Sequence, residues 1–397
     1  MLDVQVKGGG LRVGAVTFGI FTVMTAELLP VGLLTPVAGD LGVSAGTAGL
    51  MVTVPGLVAA ASAPLIALRA AGADRRTVLV LLMALVAVAN LGTALAGHMA
   101  VVLAARALLG VAIGGFWALA GGLPPRLVPA AGVGRATAVI FGGVSAASVL
   151  GVPAATAAAE WTGWRGAFAG VGVMAVLATG ALVILLPALP GTPGAPPGRR
   201  GGGGIAGLLE LPRRNASVRV GLLLTLLLVT GHFLAYAFVR PVLAEHAQVP
   251  QRFVGLLLLG YGIAGVAGNF LAGPRAARSP RRTLAALGAG LTVALLALAL
   301  LGGTPPAGAA LLILWGLAYG GVSVGLQSFF MAVAAPEDVE TATGLHVSVF
   351  CLSIALGALL GGLITDATTL TAVLSTGAAL TLAACLTAVL SGRKPTS

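Results

Sequence analysis

Long apolar runs, each closed by charged residues or a Gly/Pro cluster, follow one another along the whole chain. A membrane-crossing helix needs about 20 mostly apolar residues at 1.5 Å rise each. Twelve runs meet that length, at about 12–35, 46–68, 77–97, 100–122, 134–157, 166–189, 218–242, 253–274, 283–302, 308–332, 341–364 and 369–391. The pattern predicts an all-α membrane protein of twelve transmembrane helices. Lys7 and Arg12 precede the first run as they would in a signal peptide, but the run passes Leu34. That exceeds a signal peptide's apolar core of roughly 7–15 residues, so it is expected to stay as the first span. Residues 190–217, with Gly-Arg-Arg-Gly-Gly-Gly-Gly and Arg213-Arg214, are too polar and Gly-rich to pack. They read as a cytoplasmic linker between a six-helix bundle at 1–189 and a second at 218–397. About six residues follow the last run, and no tail domain is expected there.

The two bundles are expected to be copies of one unit. Arg69-Ala70-Ala71, three residues, then Arg75-Arg76-Thr77 returns 206 residues later as Arg275-Ala276-Ala277 and Arg281-Arg282-Thr283. At the same offset Gly49, Gly56, Gly110, Gly114, Gly115 and Gly151 fall on Gly255, Gly262, Gly316, Gly320, Gly321 and Gly357. Glycine fills 60 of 397 positions, so isolated coincidences carry little; the basic nonapeptide is what makes this a tandem repeat.

Composition agrees. Hydrophobic residues make up 58% and charged residues 8%, against about a quarter charged in soluble domains. The formal charge of +11 raises the question of nucleic acid, but the basic residues lie in loops between apolar runs, not on one folded face. No nucleic-acid partner is expected. With the N-terminus inside, 18 of the 22 Lys and Arg fall on the inner side, Arg165 and Arg252 on the outer, and Arg106 and Arg240 within spans. Cytoplasmic loops carry such an excess, so both termini are placed in the cytoplasm and the protein in the cytoplasmic membrane. Cys351 and Cys385 sit inside apolar runs and read as small buried hydrophobes. Trp161 and Trp164 are expected at the outer interface. No phosphate-binding loop or metal-ligand spacing occurs, so neither an enzyme nor a cofactor is expected, and energy must come from a gradient.

Several motifs carry a family resemblance. Arg106-Ala-Leu-Leu-Gly110-Val-Ala-Ile-Gly114-Gly115 resembles the fourth-helix motif of the major facilitator superfamily, whose halves are parallel repeats about an axis normal to the membrane. Gly151-Val152-Pro153 resembles a shortened form of its fifth-helix antiporter motif. Glu27-Leu-Leu-Pro-Val-Gly-Leu-Leu34, Trp164-Arg-Gly-Ala-Phe168 and Gly231-His-Phe-Leu-Ala-Tyr236 are similar to the sugar, arabinose and purine-nucleoside efflux branch of its drug:proton antiporters. The resemblance covers the whole chain. It implies a bacterial drug-resistance-type exporter working by alternating access with the proton as coupling ion, moving a small drug, sugar or nucleoside-like solute. It also implies a cavity lined by spans one, four, seven and ten, and gating at Asp74, Arg75, Arg76, Arg275, Gly110, Gly151 and Pro153. Asp74 departs from the family pattern by standing immediately before Arg75 rather than ahead of the whole basic run. Uptake or uncoupled diffusion is the alternative within the fold, and a non-transporting receptor or scaffold the alternative outside it. One chain holds both halves, so a monomer is expected.

Glu27 is the only acid in the interior of any expected span, and a carboxylate in hydrocarbon costs at least a few kcal/mol. Burial favours the protonated carboxyl and a nearby guanidinium the ionised one, so a site alternating between the two can move a proton. A permanent structural pair is the other reading. Arg106 lies at a depth within about 3 Å of Glu27 and is the expected partner, either coupled to the carboxylate or capping backbone carbonyls. His232, near the middle of span seven, joins Phe233 and Tyr236 as candidate substrate contacts, and is also a possible second proton carrier or a packing residue. Gln327 in span ten and Asn90 in span three are further substrate candidates. Tyr261, Asn269, Tyr319 and His346 read as interhelical hydrogen-bonding groups, His346 near the inner end where it can meet water. Gly110, Gly114 and Gly115, with Gly357 and Gly361, form small-residue faces for close helix packing, and Pro153 is expected to bend span five.

Overall fold

A computed structural model describes residues 2–69, 73–120, 123–129, 132–190, 210–335 and 338–391. Among them there is no strand. Eleven continuous segments are long and apolar enough to cross a membrane, and the one from Gly142–Leu185 runs for 44 residues. Gly163 interrupts it with φ 71° and ψ 171°, in the left-handed region that glycine adopts without penalty. It is therefore long enough for two spans, which brings the spans among the described residues to twelve.

Spans one to four are helices Leu2–Leu41, Ala45–Arg69, Arg75–Ala94 and Met99–Ala120. Span five joins Val133–Ala146, a π-helical turn at Ala147–Gly151 and the start of Val152–Leu185, whose remainder after Gly163 is span six. Spans seven to nine are Ala216–Tyr236, Val254–Arg278 and Pro280–Leu301. Span ten breaks between Pro305–Gly320 and Val322–Val333; Val339–Ala367 and Leu370–Leu390 complete the set. Asn215 starts span seven by accepting the backbone N–H groups of Ser217 and Val218 at 3.0 and 3.1 Å.

The repeat is visible in the packing. A Cβ on Gly110 would lie 2.6 Å from the carbonyl oxygen of Pro55, and 206 residues on, a Cβ on Gly316 would collide with that of Tyr261. Gly114 faces the Ala59 carbonyl as Gly320 faces that of Gly265, again one repeat apart. Spans two and four thus cross as spans eight and ten do, and only glycine admits the approach.

Two large buried clusters hold the molecule together. One is drawn mainly from Val13 to Leu189; the other, mainly from Leu224 to Ala388, also takes in Leu28, Val31, Leu34, Ala48 and Val52. On the side opposite the basic loops, Ser44 Oγ donates to Asp366 Oδ2 at 2.6 Å, Gly46 N donates to Asp366 Oδ1 at 2.9 Å, and Arg240 donates to the Gly32 carbonyl. Phe238 lies over Gly49.

Some expectations change. Most of the expected linker, 191–209, lies outside the described residues, but its last part does pack: Leu211 is buried with Val218, Phe330 and Ala342. An apolar side chain one turn before span seven has a surface to cover. Trp161 is exposed as an interfacial indole should be, whereas Trp164 is buried and donates from Nε1 to Asp40 Oδ2 at 3.2 Å. In span five a π turn, closed by Val152 N–H to Ala147 O, stands immediately ahead of Pro153, which has no backbone N–H to give.

Candidate functional site

Arg106 is fully buried on span four and its guanidinium is spent on carbonyls. Nε donates to Met51 O at 3.0 Å; Nη1 and Nη2 both donate to Ala26 O at 3.0 Å, and Nη2 to Glu27 O at 3.2 Å. Its Cζ stands 5.8 Å from the centre of the Phe168 ring. The planar fork thus ties spans one, two and four together beside span six. Of the two readings of Arg106 the geometry shows the capping of carbonyls: it meets the backbone of Glu27, and no ion pair joins the two side chains. Similar depth does not decide which face of span one a side chain leaves from.

Glu27 is buried, and its Oε2 has no hydrogen-bond partner. Its neighbour Leu28 packs in the buried cluster drawn mainly from the second half of the chain, so span one borders that half at this level.

The second half holds a group of rings. His232 stacks on Tyr319 at 3.3 Å between centroids and on Tyr236 at 4.9 Å, and Tyr236 stacks in turn on Tyr261 at 4.9 Å. Phe233 and Trp315 close the group edge-on to His232, at 4.8 and 5.5 Å. Spans seven, eight and ten all contribute. Trp315 Nε1 donates to His232 Nδ1 at 3.1 Å. Nδ1 is therefore an acceptor, and the neutral ring carries its proton on Nε2. A second proton could reach His232 only after Trp315 let go, which argues against His232 as a proton carrier in this conformation. Tyr319 is the one ring of the group that is partly exposed.

The sequence reading named His232, Phe233 and Tyr236, did not name Trp315, and read Tyr261 and Tyr319 as interhelical hydrogen-bonding groups. The four-residue spacing of Trp315 and Tyr319 puts both on one helical face and was the available signal. Asn90 does not join the group: it is fully buried on span three and donates to Val86 O of its own helix at 2.8 Å. Gln327 lies eight residues beyond Tyr319, about 12 Å of helix rise, past the break in span ten. His346 is buried rather than wet and meets Thr225 Oγ1 at 3.1 Å.

The expected gating residues fall at four places. Asp74 caps span three, accepting the backbone N–H groups of Arg76 at 3.0 Å and Leu189 at 2.8 Å. Arg75 N donates to Leu189 O at 2.9 Å and Arg76 Nη2 to Val183 O, so this corner closes on the end of span six. Gly110 lies at the crossing of spans two and four, Gly151 in the π turn against Thr25, and Pro153 just after it. Arg275 is exposed in the last turn of span eight and donates to Leu271 O at 2.7 Å.

The family model of the Major Facilitator Superfamily matches residues 16–358 and 221–397. The transcription regulatory protein OpdE of Pseudomonas aeruginosa is 36% identical over 387 residues, covering 98% of this chain and 95% of that protein. The purine ribonucleoside efflux pump NepI of Salmonella paratyphi C is 36% identical over 354 residues, covering 89% and 86%. Among solved structures, a point mutant of the nucleoside transporter NupG superposes with a TM-score of 0.81 at 12% identity over 96% of this chain and 99% of that one. A bacterial homolog of the human lysosomal transporter Spinster, inward-facing and unoccupied, superposes with a TM-score of 0.74 at 15% identity, over 96% and 95%.

Proposed function

Because the chain belongs to the major facilitator superfamily, we propose that it is a proton-coupled exporter of a small purine-nucleoside-like solute, working by alternating access between two six-helix bundles. The observation that carries this reading is the ring group around Tyr319 in the second half, taken with a buried Glu27 on span one whose Oε2 has no hydrogen-bond partner. A flat heteroaromatic base gains from stacking on such rings, and a carboxyl without a fixed hydrogen bond is free to change protonation when the solvent side changes. Arg106 is a positioning residue: it fixes the backbone at Ala26 and Glu27 and with it the aim of the carboxyl. The remaining parts of the reading are a bacterial cytoplasmic membrane with both termini inside, a monomer, no enzymatic activity, no nucleic-acid partner, and no cofactor beyond the proton gradient.

A second reading, a membrane-embedded regulator, draws on the regulatory name of OpdE. One experiment separates the two. Proteoliposomes carrying a pH gradient and an internal pH dye are challenged with purine nucleosides, sugars and phenicol-type antibiotics. Purine nucleosides are expected to collapse the gradient with wild type and not with Glu27→Gln, which keeps its fold because Oε2 gives up no hydrogen bond. Full proton-linked flux in Glu27→Gln would remove Glu27 from coupling, and solute movement without proton flux would make the chain a facilitator. A wild type that moves no solute in the panel favours the regulator.

A further inference from the structure

At the corner between spans eight and nine the repeat departs from itself. Arg69, Arg75, Arg76 and Thr77 return as Arg275, Arg281, Arg282 and Thr283, but Gly72 returns as Arg278 and Asp74 as Pro280. The first copy holds an acid against its basic run, and that acid is already bonded to backbone at both ends of the corner. The second copy has lost the acid and gained an arginine.

Beside this second corner a cavity of about 600 Å³ opens between spans eight, nine and ten. Arg275, Arg278 and Arg282 line its polar end, and among the described residues none of them is in an ion pair. Arg281 points its chemistry elsewhere, donating to Ser391 O at 2.8 Å with its Cζ 5.7 Å from the centre of the Phe329 ring. The rest of the wall is apolar. Leu271, Leu314 and Leu317 are 55%, 40% and 36% exposed, as side chains facing hydrocarbon are. From Leu271 to Arg278 span eight rises about 10 Å, so the groove runs from within the bilayer to its headgroup level on the side of the basic loops.

We infer that this groove binds an anionic glycerophospholipid, its phosphate on Arg275, Arg278 and Arg282 and one acyl chain along Leu271, Leu314 and Leu317. A guanidinium fork matches phosphate oxygens in pairs, and basic pockets between membrane helices suit anionic headgroups. A water-soluble phosphate would use the arginines but leave the leucine wall uncovered, which favours the lipid.

The test is native mass spectrometry of the delipidated full-length chain titrated with phosphatidylglycerol, phosphatidylcholine and glycerol 3-phosphate. Phosphatidylglycerol is expected to bind in preference to phosphatidylcholine and to resist displacement by glycerol 3-phosphate. Removing two headgroup arginines in Arg278→Gln/Arg282→Gln is expected to weaken phosphatidylglycerol binding by about 30-fold. Ala286→Phe, which leaves the arginines and fills the groove at an exposed lining position, is expected to weaken it too. Equal binding of the two lipids, or wild-type binding by both variants, overturns the inference. Displacement by glycerol 3-phosphate also overturns it, assigning the arginines to a soluble phosphate.

Discussion

Tyr319 is the residue on which the site turns. It stacks on His232 and is partly exposed while its five neighbouring rings are buried, so it is the ring of the group open to further contact. Its hydroxyl makes no hydrogen bond that the stack depends on, so the ring face is the working part. Tyr319→Phe is therefore expected to bind the transported solute within about twofold of wild type. Tyr319→Leu removes the aromatic face, and base stacking on a ring contributes about 1–3 kcal/mol, so affinity is expected to fall by roughly 5–150-fold. Equilibrium binding of a radiolabelled purine nucleoside to purified protein reads both; equal losses in the two variants would place the solute elsewhere.

At the scale of the element, span five is where sequence and structure differ most. The π turn at Ala147–Gly151 turns Gly151 onto Thr25 of span one, so closely that a Cβ there would overlap Thr25 Oγ1. Gly151→Ala is expected to destabilise the chain by about 1–3 kcal/mol and slow transport, and Thr25→Ala in the same chain to recover part of both. Thermal unfolding in detergent beside transport rate checks the pair, and additive losses would show that the two residues do not meet. This contact was not legible beforehand, because a π turn depends on which helix lies opposite, not on the local residues. The twelve spans were legible because the length of an apolar run is a local property, and the repeat was legible because Gly110 and Gly316 serve the same crossing. Where readings failed, the cause was rotation. Each residue turns about 100° around its helix, so matching the depths of Glu27 and Arg106 could not say that the guanidinium reaches the carbonyl of Glu27 and not its carboxyl. For the same reason Asn90, polar and in a span, turned out to bond its own helix.

Across the whole molecule, the hydrogen bonds named between the two halves gather on one side. Asp366, at the end of span eleven, accepts from Ser44 and Gly46 at the start of span two, and so adds a carboxylate to the cap that Ser44 Oγ already makes by accepting the Thr47 N–H at 3.0 Å. Arg240 adds a donor to the Gly32 carbonyl nearby. All of this lies opposite the basic loops. A carboxylate on a helix N-terminus is a charge-assisted contact that must break before the halves can part on that side. Asp366→Ala is therefore expected to favour opening there, and a loss of about 1.4 kcal/mol from the closed form raises the open fraction about tenfold. Val52 packs in the cluster that joins the halves, so a Val52→Cys reporter is shielded while they are closed. In a chain with Cys351 and Cys385 replaced by Ala, a membrane-impermeant maleimide added from outside should label that reporter about tenfold faster when Asp366→Ala is present. An unchanged rate would mean that the apolar packing of spans two and eleven holds this side shut without the carboxylate. The closed side would then be set by the same glycine-lined contacts that build the rest of the bundle, such as Gly56 against Ala355.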